Sequence, residues 1–181
     1  MKKILVKEVM IPIAKYVTVK KEDHLLEVLH AIERKRQSEG GHAHRDAIVV
    51  DENGQFFGKI TMLDIFRALE PSYENIQKKR SSGTLTDAFV RQAVKDFNLW
   101  LEPAETICQR GGDIAVADFM YVPGKTEYLN EDDNLEKALN YYVMGVHQPL
   151  IVKDGSKVTG ILRFGDVFEI VRQELLSCKP L

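Results

Sequence analysis

The apolar positions of this chain fall into two matching series. Leu25, Leu26, Val28, Leu29 and Ile32 recur at three- and four-residue steps, as do Leu135, Ala138, Leu139, Tyr142 and Val143. Each set predicts a helix with one buried stripe. Acidic residues open both, Glu22-Asp23 in one and Asp132-Asp133 in the other, where negative charge at a helix N-terminus is favourable. A short extended segment precedes each helix, Tyr16 to Val19 and Glu127 to Leu129. An apolar strand follows, Ile48-Val49-Val50 or Leu150-Ile151-Val152, and then a turn, Asp51-Glu52-Asn53-Gly54 or Lys153-Asp154-Gly155-Ser156. Asn-Gly and Asp-Gly between apolar runs are hairpin signals. A second strand and a closing helix complete a β-α-β-β-α unit that occurs twice.

The two copies align residue by residue. Val9-Met10 matches Phe119-Met120 at an offset of 110; Gly58, Ile60, Asp64 and Phe66 match Gly160, Leu162, Asp166 and Phe168 at an offset of 102. Ile48-Val49-Val50 is aligned with Leu150-Ile151-Val152 at that same offset of 102. The change of eight places an insertion in the polar, Gly-Gly-bearing stretch 34–44, read as an exposed loop. A unit of about 60 residues buries too little surface to be comfortable alone. The expected fold is therefore α/β (α+β), with two repeats packed in pseudo-twofold symmetry and a ligand-sized cleft where they meet. The expected organisation is repeat 1 over 1–70, a helical linker over 71–112, and repeat 2 over 113–181.

In the linker, Lys78-Lys79-Arg80-Ser81-Ser82-Gly83 reads as a loop. From Thr84 the pattern is helical, with Phe89, Val90, Ala93, Val94, Phe97, Trp100 and Leu101 on one face. Thr86 or Asp87 suits the cap, Pro103 ends or restarts the helix, and Gly111-Gly112 ends the segment. The segment reads either as a helix lying on the repeats or as a partner-docking element.

Composition narrows the function classes. Among 181 residues, 25 Lys and Arg against 27 Asp and Glu leave a net charge of −2, too little positive charge for a general polyanion binder. Cys108 and Cys178 have no metal-ligand spacing and read as free thiols of a reducing cytosol. The apolar run Ile4-Leu5-Val6 is cut short by Lys7-Glu8, so it is no export signal, and no stretch reaches the roughly 18 apolar residues of a membrane span. A cytoplasmic location is expected. No nucleophile elbow, P-loop or Gly-x-Gly-x-x-Gly occurs. His42 and His44, two apart without a carboxylate cluster, are read as solvated, a metal-dependent enzyme being the remote alternative.

Gly58-Lys59-Ile60-Thr61-Met62-Leu63-Asp64 leads from a strand into a helix. Thr61 and Asp64 have capping-box spacing. The same geometry offers amide donors to an anion and a carboxylate to a pair of ribose hydroxyls.

Two such units, each beginning near Val-Met or Phe-Met and ending in Gly-h-h-Thr/Ser-x-x-Asp (h, apolar), resemble a tandem pair of cystathionine beta-synthase (CBS) domains, also called a Bateman module. The resemblance covers roughly residues 3–70 and 113–178. It implies a non-catalytic regulatory module that binds an adenosyl compound (AMP, ADP, ATP or S-adenosylmethionine) between the copies. It further implies a homodimer and an effector protein as partners, with neither a membrane nor a nucleic-acid polymer. Carried over, the first site combines Ile60, Thr61, Met62 and Asp64 with Tyr121, Val146, His147, Gln148 and Pro149. Asp64 would hold the ribose and His147 a phosphate. The second site combines Arg45, Asp46 and Ala47, with His44 nearby, and Arg163 and Asp166. There Arg163 stands where the pattern has Thr or Ser. Arginine is a poor cap, so local structure does not explain it, and it is read as a phosphate clamp or a plug. The first site is the one expected to be occupied. The rival reading is a ligand-free scaffold acting through dimerisation and the linker helix.

Overall fold

The computed structural model of the chain describes residues 4–38, 45–70, 72–73, 86–97 and 103–177. His42, His44, Trp100, Leu101, Cys178 and the 78–83 stretch lie outside them. Seven strands and seven helices are assigned among the described residues. The strands are β1 (Ile11–Pro12), β2 (Thr18–Val19), β3 (Ala47–Val50), β4 (Phe56–Ile60), β5 (Tyr128–Asn130), β6 (Leu150–Asp154) and β7 (Lys157–Leu162). The helices are α1 (Leu25–Ser38), α2 (Met62–Leu69), α3 (Asp87–Phe97), α4 (Ala104–Asp113), α5 (Val116–Phe119), α6 (Leu135–Val143) and α7 (Phe164–Ser177). They form a sheet of order β2-β3-β4 and another of order β1-β7-β6-β5. The chain divides into two compact units, both discontinuous: Thr18–Val49 with Lys59–Tyr121, and Met1–Val17 with Val50–Gly58 and Val122–Leu181.

Each unit is closed by the same local device. In the first, the Asp23 carboxylate accepts from Lys20 N at 2.8 Å, and in the second Asp133 accepts from Asn130 N at 2.8 Å. The acidic pairs thus tie down the turn that leads into each helix. The segment ahead of each repeat then docks on that turn in the other repeat's unit. Leu25 N donates to Ile114 O (3.0 Å), Val116 N to Asp23 O (2.8 Å) and Ala117 N to Lys21 O (3.1 Å). At the same offset of 110, Leu135 N donates to Ile4 O (2.9 Å), Val6 N to Asp133 O (2.9 Å) and Lys7 N to Glu131 O (3.0 Å). Val116 and Val6 are fully buried by this docking. Val6 joins Leu129, Leu135, Leu150, Val152, Leu162 and Val167 in one apolar cluster, where each large side chain contributes about 1.5–3 kcal/mol.

Strand register refines the repeat alignment. Val19 partners Val49 in parallel and Leu129 partners Val152, so the middle strands correspond at an offset of 103 rather than 102. The reason lies in the hairpins. Asp154 pairs Lys157 across the two residues Gly155-Ser156, whereas Asp51 N reaches Gln55 O across the three residues Glu52-Asn53-Gly54. Gly54 and Gly155 supply the positive φ (77° and 57°) that these turns need.

Two sequence expectations are corrected. Leu26 and Leu29 are 36% and 39% exposed, whereas Leu25 and Val28 are buried, so the stripe of α1 is narrower than its periodicity suggests. Pro103 stands at the N-cap of α4, the restart that the sequence allowed, and Thr86 caps α3, accepting from Phe89 N at 3.2 Å. Gly111-Gly112 does not stop α4, which runs on to Asp113. A Cβ on Gly111 would lie 3.4 Å from Leu26, so small residues let α4 approach α1 closely.

Gly160 of β7 pairs with Pro12 of β1, and a Cβ there would lie 2.8 Å from Ile11 O and from Met10 Sδ. Gly160→Ala should destabilise the protein by about 1–3 kcal/mol, measured by thermal or urea denaturation. Gly165→Ala, in the first turn of α7 with no atom within 4 Å of the added carbon, should instead be neutral or stabilising by about 0.5–1 kcal/mol.

Candidate functional site

The chemistry-bearing turn of the first unit is where β4 meets α2. Ile60 is fully buried and anchors the strand end. Thr61, at φ −105° and ψ 168°, is the N-cap. Its hydroxyl and its backbone N–H both donate to Asp64 Oδ2, at 2.7 and 2.9 Å, and Asp64 N lies 3.4 Å from the hydroxyl. Asp64 is 5% exposed. Its Oδ1 faces Arg67 Nη1 at 3.6 Å. One carboxylate oxygen is therefore hydrogen-bonded within the cap, and the other makes only a looser ion pair with a half-exposed guanidinium. Met62, on the same turn, is exposed.

A cleft of about 490 Å³ opens beside this turn between α2, α4 and α5, lined by Asp64, Arg67, Arg110, Asp113, Asp118 and Phe119 among others. Arg110 crosses to α2, donating from Nη1 to Leu69 O at 2.5 Å. Arg67 and Arg110 were not singled out from the sequence, since neither belongs to a motif and the cleft exists only once α4 lies against α2.

Tyr121 reaches the first unit through a closed backbone pair with Lys59: Lys59 N donates to Tyr121 O at 2.9 Å and Tyr121 N to Lys59 O at 2.8 Å. The fully buried Lys59 carries its ammonium 5.3 Å from the Tyr121 ring centroid, a cation–π distance. At the equivalent place in the other unit the pair is Ile11 with Ile161. Lys59 is thus a charge in a seat that the second repeat fills with an isoleucine.

Val146, His147, Gln148 and Pro149 belong to the second unit. Helix α6 delivers them through a Schellman turn: Val146 N donates to Tyr141 O at 2.9 Å and Gly145 N to Tyr142 O at 3.0 Å, with Gly145 at φ +78°. Val146 packs against the apolar cluster, Pro149 is buried and Gln148 exposed. His147 is half-buried, its Nδ1 3.8 Å from Glu127 Oε2. Glu127 is buried and its Oε1 accepts from Gly124 N at 2.9 Å. Burial pushes the neighbouring Tyr128 phenol above its usual range, and the Glu127 charge adds to the shift. Sequence reading had Glu127 only as the start of a strand; the offset of 110 that sets it against Val17 was the available signal.

In the second repeat, Arg163 and Asp166 close on each other. Nε donates to Oδ2 at 2.8 Å and Nη2 to Oδ1 at 2.7 Å, a bidentate fork. The expectation that local structure gives Arg163 no role is overturned: it does not cap the helix, but it binds the carboxylate one turn on. Of the other residues assigned to this site, Arg45 is exposed, Asp46 half-buried and Ala47 buried at the start of β3; these three lie in the first unit, and Arg163 and Asp166 in the second. Among the described residues no group of three or more His, Cys, Asp or Glu is arranged to hold a metal ion, and no helix is long and apolar enough to cross a membrane.

Residues 6–71 match the CBS domain family. No curated protein matches the sequence. Among solved structures, the CBS-pair protein CBSX2 from Arabidopsis thaliana is similar at a TM-score of 0.61 and 17% identity, over 98% of this chain and 100% of that one. The chain has the fold of a CBS pair. CBSX2 in complex with AMP is similar at a TM-score of 0.58 and 21% identity, over 94% and 98% of the two chains. The CBS domain of a CBS-domain-containing membrane protein from Sphaerobacter thermophilus is similar at 0.60 and 19%, over 93% and 88%. The Gly-h-h-Thr-x-x-Asp turn is intact in the first repeat, and the second replaces its Thr with the arginine that engages Asp166.

Because the Thr61 hydroxyl and amide both hold Asp64, Thr61→Ala should cost the protein about 1 kcal/mol in urea denaturation, and Thr61→Ser should recover most of it.

Proposed function

We propose that this CBS pair is a cytoplasmic, non-catalytic sensor of an adenosyl ligand, with the first site as the working one. The observation that carries the reading is the contrast between the two carboxylates. Asp64 hydrogen-bonds through a single oxygen in its cap, its other oxygen making only a looser 3.6 Å ion pair with Arg67, and it lines an open cleft, whereas both oxygens of Asp166 are forked by Arg163. A carboxylate held by one oxygen retains lone pairs for ribose hydroxyls; one held by both would have to break a charge-assisted pair first. The cleft volume lies within the range of small-molecule sites, and a protein of the same fold has been solved with AMP. The proposed ligand contacts are Ile60, Thr61, Met62, Asp64, Tyr121, Val146, His147, Gln148 and Pro149. Arg45, Asp46, Ala47, Arg163 and Asp166 make a second site that stays empty. Binding shifts the balance between two arrangements of the module through its differential affinity for them, and an effector protein reads the result.

Calorimetric titration with AMP, ADP, ATP and S-adenosylmethionine should give saturable binding of at least one of them. That ligand at 100 times its Kd should raise stability by about 2.7 kcal/mol. Asp64→Ala should abolish the gain, and Asp64→Asn, which keeps a cap acceptor, should weaken binding while leaving the fold intact. Absence of any binding would sink the sensor reading and favour the scaffold.

The proposed homodimer draws on exposed apolar side chains: Met62, Leu63 and Phe66 (47%, 56% and 50%) on α2, and Phe164 and Phe168 (43% and 58%) on α7. Exposed apolar side chains grouped on one helix mark association sites. Light scattering should report a dimer, and Phe66→Glu should shift it toward monomer.

A further inference from the structure

The cleft beside Asp64 lies within a single compact unit, and the linker builds part of it. Helix α2 contributes Asp64 and Arg67, α4 contributes Arg110 and Asp113, and α5 contributes Asp118 and Phe119. Among the described residues, three carboxylates and two guanidiniums thus share its wall. They are not equally engaged. Arg67 faces Asp64 at 3.6 Å, and Arg110 donates to the carbonyl of Leu69, the last residue of α2, at 2.5 Å. Asp113 and Asp118 are exposed, and neither side chain makes a hydrogen bond or an ion pair among the described residues.

The position that matches Asp118 in the other leading segment uses its carboxylate differently. Glu8 stands 110 residues earlier and turns back on its own turn, Oε2 accepting from Leu5 N at 2.7 Å. Aspartate is one methylene shorter. The matching Ala115 has no side-chain cap, and the Asp118 carboxylate lines the cleft instead. Phe119, half-buried, adds an aromatic side chain to the same wall. Unpartnered carboxylates beside an aromatic side chain suit an onium cation, which gains from charge and from the ring together. A phosphate arriving there meets like charge, which works against the wrong ligand.

We propose that Asp113 and Asp118 make the adenosyl cleft selective for a ligand with a cationic tail, the sulfonium of S-adenosylmethionine, over the phosphates of AMP, ADP and ATP. This inference rests on the adenosyl-site reading above and names which of its ligands the cleft admits.

Titration of the full chain with S-adenosylmethionine, S-adenosylhomocysteine, AMP, ADP and ATP tests it. S-adenosylhomocysteine keeps the adenosyl group and the amino-acid end and lacks only the sulfonium methyl with its charge. Wild type should bind S-adenosylmethionine at least about tenfold more tightly than each of the others. D113N/D118N keeps the size of both side chains and removes both charges at exposed positions. It should bring S-adenosylmethionine down to the affinity of S-adenosylhomocysteine, whose own affinity stays unchanged. D113N and D118N singly should each lose part of the preference, and they carry the test should the double variant fail to fold. A wild type that binds a nucleotide as tightly as S-adenosylmethionine, or that does not distinguish the sulfonium from the thioether, overturns the inference and leaves the site standing. So does a double variant that keeps the preference or that weakens every ligand alike. A wild type that binds none of the five removes the site and this inference with it.

Discussion

The docking of each repeat's leading segment onto the opposite repeat's unit is the constraint from which the rest follows. Six backbone hydrogen bonds, three per unit, carry it. A buried amide left without an acceptor is expensive, so Ile4–Lys7 and Ile114–Ala117 hold their lines once Val6 and Val116 are buried. The consequence is topological. The strand or bridge that follows each segment is laid against the opposite hairpin, Ile11 on Ile161 and Tyr121 on Lys59. Gly160 is then needed because the backbone of β1 crosses at contact distance.

On this repeated frame the two copies diverge in side chains rather than in backbone. Thr61 and Arg163 stand at matching positions before helices that start with matching carboxylates, yet the outcomes differ. A hydroxyl is too short to reach both oxygens of the aspartate, and it shares Oδ2 with its own amide. A guanidinium spans both oxygens in a planar fork. The same asymmetry runs through the other matched pairs. Lys59 faces Tyr121 where Ile161 faces Ile11, and Glu127 stands where Val17 does. The charged member of each pair is buried and held by contacts of its own.

Much of this was legible beforehand. The helix stripes, the acidic turn residues, the Asn-Gly and Asp-Gly hairpins and the Thr61–Asp64 cap are written within a few residues of one another. Propensity, period and turn chemistry act at that range. The recurrence of the whole set at offsets of 110 and 102 turned local signals into a fold, but the loop expected over 34–44 begins as helix, since α1 runs on to Ser38. The one-residue slip in the middle strand escaped because alignment by residue type does not see how many residues a turn spans.

By itself, then, the sequence determined the repeated β-α-β-β-α unit, the intact motif of the first copy and the altered motif of the second. The tertiary structure alone decided that each leading segment belongs with the other repeat's unit and that α4 runs through two glycines to meet α1. It also decided that Glu127 lies buried beside His147. The physical reason is range: period and capping are properties of neighbouring residues, whereas docking, burial and the choice of a charged partner depend on atoms that folding brings from 20 to more than 100 positions away.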